Sequence, residues 1–412
     1  MSLEFDSYEI RDICDINNSS YSPKESWSFF NYLDTKNITK GKIDEIKYLD
    51  PLEDIVPSRA KRKVNNKDII YSTVRPNQEH YGLIENQPKN FLVSTGFTTL
   101  KVNTEKAIPE YVYYFITQNH ITESLQTIAE QSTTSYPSIR PSDIGDLIIP
   151  LPPLHIQYKI SSILRNIDIK IKLNEQINHN LDTILNSIFK EQFIKNFSPE
   201  KEKLIFKKIG DLPLIITDYV ANGSFASLKE NVSILDEEDY AYFIRNTDLK
   251  SQNFEKYVNK HSYDFLKKSS LFGNEVIISN VGDVGSVFLC PFLDNPMTLG
   301  NNMILVKTKE NSTNLNFYLF LLFNSEFGQY LLSTVTSGSV QLKFNKTEFK
   351  SLELFIPKDK YLKEFNNTIS PIFEYKTKIS DEIKNLNNLR DSLLPKLMSG
   401  EIDVSQINCD LD

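Results

Sequence analysis

Ile149–Phe193 reads IPLPPLHIQYKISSILRNIDIKIKLNEQINHNLDTILNSIFKEQF, and Ile356–Ile402 reads IPKDKYLKEFNNTISPIFEYKTKISDEIKNLNNLRDSLLPKLMSGEI. Both close an apolar run with Ile-Pro and then become a long stretch of helical periodicity. Laid 205 positions apart, Ile160 falls on Phe365, Leu164 on Ile369, Ile167 on Ile372, Leu181 on Leu386, Ile184 on Leu389 and Ile188 on Leu393. A 412-residue chain that repeats at this distance is two copies of one half.

Each segment carries a narrow apolar seam. Steps of four and three from Ile160 reach Leu164, Ile167, Ile171, Asn174, Asn178, Leu181, Leu185 and Ile188. The same steps from Phe365 reach Ile369, Ile372, Lys376, Ile379, Ile383, Leu386, Arg390 and Leu393, so seven of nine positions are apolar in each seam. That period over four heptads predicts a coiled coil. Asn174, Asn178 and Lys376 are polar seam residues of the kind that fix register and partner at some cost in stability. At about 1.5 Å rise per residue each helix spans roughly 50 Å, more than the diameter of a small domain. Two such helices, one after each half, can pair antiparallel. The plainer alternative is that each packs on its own domain.

The rest of the chain repeats too. Asp68–Val74 matches Glu275–Val281, and Thr95-Gly96 matches Leu299-Gly300. Tyr111–Ile116 matches Phe317–Leu322, and YEIRDI at Tyr8 resembles KKIGDL at Lys207. The β-branched and aromatic runs 67–74 and 90–102 predict strands. A helix is expected from Pro109 through PEYVYYFITQNHITESLQTI, with Pro at a favoured early position. Polar loops (EQSTTSYPS and TVTSGSVQ) then lead to short strands over 144–149 and 352–356. The fold class expected is α+β: two globular domains in pseudo-two-fold repeat, each followed by a long helix. The expected boundaries are 1–152, 153–197, 198–357 and 358–412.

Composition is that of an ordinary globular protein, with 40% hydrophobic and 24% charged residues. The first 18 residues hold five acidic side chains and no apolar run approaches 18 residues, which argues against a leader or a membrane span. Cys14, Cys290 and Cys409 are odd in number and far apart, which fits a reducing cytoplasm better than disulfides or zinc. The net charge of −8 argues mildly against nucleic acid, but only the contacting face of a binder must be basic.

Catalytic motifs are missing. The sequence holds no phosphate loop, no GxGxxG, no HExxH, no CxxC and no GxSxG. Asn295-Pro296-Met297 is not an amino-methyltransferase motif, and Val281–Ser286 (VGDVGS) reads as a hairpin turn rather than a cofactor loop. What remains is a binding pattern. Arg59, Lys61, Arg62, Lys63 and Lys67 crowd a loop before a strand, and Lys267 and Lys268 stand at the equivalent place in the second copy. Phosphates are met by Lys and Arg, guanine edges by Arg, and adenine edges by Asn or Gln. Arg75, Arg140, Arg245 and Lys343 are therefore candidate contacts, as are Asn280, Asn301, Asn302 and Gln341. A solvated charged loop is the alternative for each. Duplex DNA, with two-fold backbone symmetry, suits a duplicated chain.

The segments IPLPPLHIQYKISSILRNID and LRDSLLPKLMSGEI, with the domain order, resemble type I restriction–modification specificity subunits. The second lead-in, IPKDKYLKEF, departs from that pattern in lacking Pro-Pro and Gln. The resemblance implies two target-recognition domains, 1–152 and 198–357, each reading half of a split DNA target. It implies that the helices pair as an antiparallel coiled coil, set the unread spacer and dock two modification subunits. Ile160, Leu164, Ile167, Asn174, Asn178 and Leu181 would serve in the first helix, and Phe365, Ile369, Ile372, Lys376, Leu386 and Leu393 in the second. S-adenosylmethionine for adenine methylation, and ATP with Mg in restriction subunits, belong to partners; this chain is expected to carry no cofactor, no metal and no catalysis. A two-headed adaptor without a DNA role, and a diverged self-contained methyltransferase or nuclease, are the rival readings.

Overall fold

A computed structural model describes residues 5–132, 136–195, 203–338 and 341–407. The chain divides into two compact units, Met1–Glu175 with Asp381–Asp412, and Gln176–Ser380.

The first unit holds two four-stranded sheets. One runs in the order Lys47–Leu49, Phe30–Leu33, Phe91–Ser94, Ala60–Lys63; the other Cys14–Ile16, Phe97–Val102, Ile69–Ser72, Tyr81–Leu83. Asp6–Glu9 pairs with Ile148–Leu151. The second unit repeats this plan. Tyr257–Val258, Ala241–Ile244, Met297–Leu299 and Ser270–Leu271 correspond to the first sheet, with Ile234–Leu235 added at its edge. Leu214–Asp218, Met303–Thr308, Val276–Ser279 and Val287–Leu289 correspond to the second, and Leu204–Lys208 pairs with Glu353–Pro357. Even the parallel pair recurs: Phe91–Ser94 beside Phe30–Leu33, and Met297–Leu299 beside Ala241–Ile244. Among the described residues the duplication is thus one of topology as well as sequence.

Several expected elements change on folding. The run 90–102 is two strands in different sheets, broken at Thr95-Gly96. A Cβ on Gly96 would lie 2.9 Å from Thr35 Cγ2, and one on Gly300 2.7 Å from the Ile244 carbonyl, so both turns need glycine for close approach. The helix from Pro109 stops at Ile116 and restarts over Asn119–Glu130. At the break the Thr117 hydroxyl donates to the Tyr113 carbonyl (2.9 Å). Ile144 sits in a short helix, Pro141–Gly145, and the strand expected at 144–149 is Ile148–Leu151. Pro150 is tolerated there because that strand has a single partner.

The long helices are Leu154–Phe189 and Asp359–Met398, the second passing through Pro371. At about 1.5 Å per residue they measure roughly 54 and 60 Å. Residues 196 and 197, assigned to the first helix by its periodicity, lie outside the described residues. Every seam position is buried or half-buried. In the first unit Ile160 and Leu164 share a core with Leu394, Leu397 and Val404, and Arg390 binds Asp168 (3.1 Å). In the second, Leu185 and Phe189 share a core with Phe365 and Ile369. There Asn178 donates to Ser380 (3.1 Å) and Lys376 pairs with Asp182. Partner numbers fall in one helix as they rise in the other, so within each unit the helices run antiparallel. Buried Gln157 locks the start of the first helix by donating to the Pro152 carbonyl (2.8 Å) and accepting from the Ile108 amide (2.9 Å). Leu362, 205 positions on, is buried there in the second copy.

Candidate nucleic-acid interface

The turns at one end of the sheets form a connected surface in each unit. In the first unit the Thr95 amide donates to the Arg59 carbonyl (2.9 Å), Thr73 to Gly96 (2.8 Å), Arg75 to Pro137 (2.9 Å) and Ile139 to Thr73 (2.9 Å). Four loops distant in sequence are therefore laced by backbone bonds. They present Arg59, Arg75 and Arg140, all exposed, and none is in an ion pair among the described residues. Arg75 takes a left-handed backbone conformation (φ 49°), and its guanidinium stands 5.2 Å over the Tyr136 ring, itself 61% exposed. A planar cation backed by an aromatic face is pre-organised for bidentate contacts.

The basic run Arg59–Lys67 is only partly a loop, because Ala60–Lys63 is a strand. Lys61 is exposed. Arg62 is half-buried with its Nε unpartnered, and burial lowers its pKa. Lys63 is committed to Glu25 (3.0 Å). Lys67 lies outside the surface altogether. It binds Glu110 (2.7 Å) and Glu85, and Arg165 of the first long helix binds the same two carboxylates (3.2 and 3.1 Å). Burial opposes the Lys67 charge, but the hydrogen bonds to Glu110 and Glu85 outweigh it and raise its pKa. Lys67 thus joins domain to helix.

In the second unit the Gly300 amide donates to the Ile244 carbonyl (2.7 Å), Asn280 to Asn302 (3.1 Å), Gly282 to Leu342 (3.0 Å) and Phe344 to Asn280 (3.1 Å). This gathers Asn280, Asn301, Asn302, Gln341 and Lys343. The asparagines at 301 and 302, Gln341 and Lys343 are exposed. Asn280 donates to the Phe344 carbonyl (2.9 Å), leaving its Oδ1 buried without a partner. Residues 280–286 form the turn of the antiparallel hairpin Val276–Ser279 and Val287–Leu289, as the sequence suggests. Arg245 is less available: its guanidinium is bound to buried Asp248 (2.5–3.1 Å), which raises its pKa.

Lys267 and Lys268 lie just before the strand Ser270–Leu271, Lys268 donating to the Ala221 carbonyl (3.0 Å). Sheet register also removes their expected correspondence to the basic run. Ala60 faces Ser94 as Ser270 faces Thr298, so Lys267 and Lys268 match Pro57 and Ser58 rather than Lys61 and Arg62. Periodicity missed the cluster of Asn246, Lys250 and Ser286 around Asp283 (3.1, 2.7 and 2.7 Å), whose hydrogen bonds, Lys250 first, lower the Asp283 pKa to about 2. Hairpin turns hide such residues, because their partners come from another strand connection.

Among the described residues no group of three or more His, Cys, Asp or Glu side chains could hold a metal, and no helix is long and apolar enough to cross a membrane. Cys14 and Cys290 are buried free thiols; burial pushes Cys14 up to about 12 and Cys290 well above its ordinary value. Neither has the lowered pKa of a nucleophile. Cys409 lies outside the described residues.

Two copies of one fold, each followed by a long helix of the pairing kind, define a duplicated α+β protein. The type I restriction modification DNA specificity domain matches residues 3–183 and 257–388, and the chain belongs to that family, whose role is to give a restriction–modification complex its DNA sequence specificity. It is 24% identical over 409 residues to the type I restriction enzyme HindI specificity subunit of Haemophilus influenzae, covering 84% of this chain and 89% of that one. It is 24% identical over 393 residues to the MjaIX specificity subunit of Methanocaldococcus jannaschii, covering 86% and 85%. The crystal structure of a type I restriction–modification S subunit from M. genitalium shares the fold, with a TM-score of 0.59 at 13% identity over 96% of both chains.

Proposed function

We propose that the chain reads a split duplex target without catalysing any reaction itself. Residues 1–152 and 198–357 act as its two target-recognition domains, and segment 153–197 with its long helix and segment 358–412 with its long helix and C-terminal tail set the spacer between half-sites. Modification subunits carrying S-adenosylmethionine dock on the helices and methylate adenine in each half-site. Restriction subunits using ATP and Mg join the complete assembly. The observation that carries this reading is that three of the bonds lacing the turns recur at the same strand ends in both copies, and that these turns carry exposed arginines in one and exposed amides and a lysine in the other. Arginines dominate the first surface and amides the second, which suits guanine contacts in one half-site and adenine contacts in the other. The test is the genomic adenine-methylation pattern with the gene present and deleted. Loss of one two-part motif on deletion supports the reading, and an unchanged pattern in a strain that keeps its modification subunits sinks it.

A further inference from the structure

Lysines gather at the other end of the second unit's sheet, around the first turn of the second long helix. Lys207, Lys358 and Lys363 line a cavity of about 330 Å³ whose lining is more polar than apolar, with Ile205, Leu212 and Leu315 among its apolar members. Lys309 joins the rim, its amide bonded to the carbonyl of wall residue Pro213 (2.8 Å). All four lysines are exposed, and none is in an ion pair among the described residues. Asp359 is the single carboxylate in the lining.

The duplicated fold supplies an internal control. Tyr8 faces Ile149 as Lys207 faces Leu354, so Tyr8 holds the Lys207 position in the first unit. The Asn103 amide bonds the Ile13 carbonyl as Lys309 bonds Pro213, both at 2.8 Å. Pro153 and Tyr158 stand 205 positions before Lys358 and Lys363. The first copy folds with none of these charges, so the shared framework does not require them. Three lysines against one carboxylate leave an excess of positive charge in the lining, and an anionic occupant relieves the repulsion among them.

The cavity lies at the Thr308 end of the strand Met303–Thr308, whereas Asn302 and the laced turns lie at its start. Six residues at about 3.3 Å each separate the two by roughly 20 Å. A concave pocket of this size, lined by lysines beside a few apolar side chains, admits the side chains of a peptide and not the convex backbone of a duplex. We propose that it docks an acidic segment of a partner protein, with carboxylates against Lys207, Lys358 and Lys363 and an apolar side chain against the walls.

The test is fluorescence anisotropy of the full chain with a labelled peptide of alternating glutamate and leucine. Saturable binding is expected, with a loss of about tenfold or more in the combined Lys207→Glu, Lys358→Glu and Lys363→Glu variant. The corresponding glutamine variant, which removes charge without reversing it, decides the matter if the first does not fold. Binding of specific duplex by these variants should be unchanged. Equal peptide binding by the variants, no saturable binding, or displacement of the peptide by duplex DNA with the same dependence on the three lysines overturns the proposal. Failure of the wild-type chain to bind duplex would overturn the DNA reading alone.

Discussion

The fate of the individual cations turns on what each finds after folding. Arg75 reaches the loop surface with an aromatic backing, whereas Lys67 is consumed by Glu85 and Glu110. Arg75→Ala should therefore weaken binding to the specific duplex by about 1–3 kcal/mol and relax the preference at one base position, as read by titration against single-base variants. Lys67→Ala should leave the duplex affinity alone and lower stability by roughly 1 kcal/mol, since a partly exposed pair is worth little; a thermal melt beside the titration separates the two. Asp283 provides a pH test. Its folded pKa of about 2 lies below the ordinary 3.8, so its contribution to stability is present above about pH 4 and is lost as pH falls through 2. Asp283→Asn should flatten that acid limb in urea melts taken across the range, and an unaltered limb would remove the assignment.

Among the elements, the helix seam held most of its information locally. Of its three polar residues, Asn178 and Lys376 find partners on the other helix, while Asn174 is fully buried with both amide atoms unpartnered. A buried unmade hydrogen bond costs about 1–3 kcal/mol, so Asn174→Leu should raise the melting temperature. The same change removes a device that specifies register, so methylation at altered spacer lengths should appear in the assembled complex. The helices dock differently in the two units. In the first unit they meet the domain through Lys67, Glu110, Arg165 and the Tyr114–Asp168 bond (2.6 Å). In the second, Phe373 stacks on Phe317 at 4.4 Å. The α+β class, the repeat and both helices were legible from periodicity because seam and strand burial follow chain-local periods. The split at Gly96 was not, because it is imposed by the close approach of Thr35 from a distant segment; the break at Gln118 is closed by bonds of Thr117 and Gln118 to the preceding turn, which leave the apolar period uninterrupted.

Over the whole molecule, the net charge of −8 is compatible with a DNA reader because only the contacting face of a binder must be basic. Binding to specific duplex should fall steeply with salt, and if exposed Lys61 meets a phosphate as proposed, Lys61→Ala should lower the logarithmic slope by about one. A slope near zero for the wild-type complex would dismiss phosphate contact as the source of affinity.

By itself the sequence determined the duplication, the antiparallel-compatible seams and the absence of known catalytic motifs, because each is a pattern of spacing along one chain. Only the tertiary structure decided which cations stay free. Glu25 and Glu110, which claim Lys63 and Lys67, lie 38 and 43 residues away in the chain. It also decided that Arg59, Arg75 and Arg140, like Asn280, Asn302 and Lys343, share a surface, since sheet pairing and backbone bonds between turns bring them together. Charge pairing and loop assembly depend on distances in space that no local period encodes.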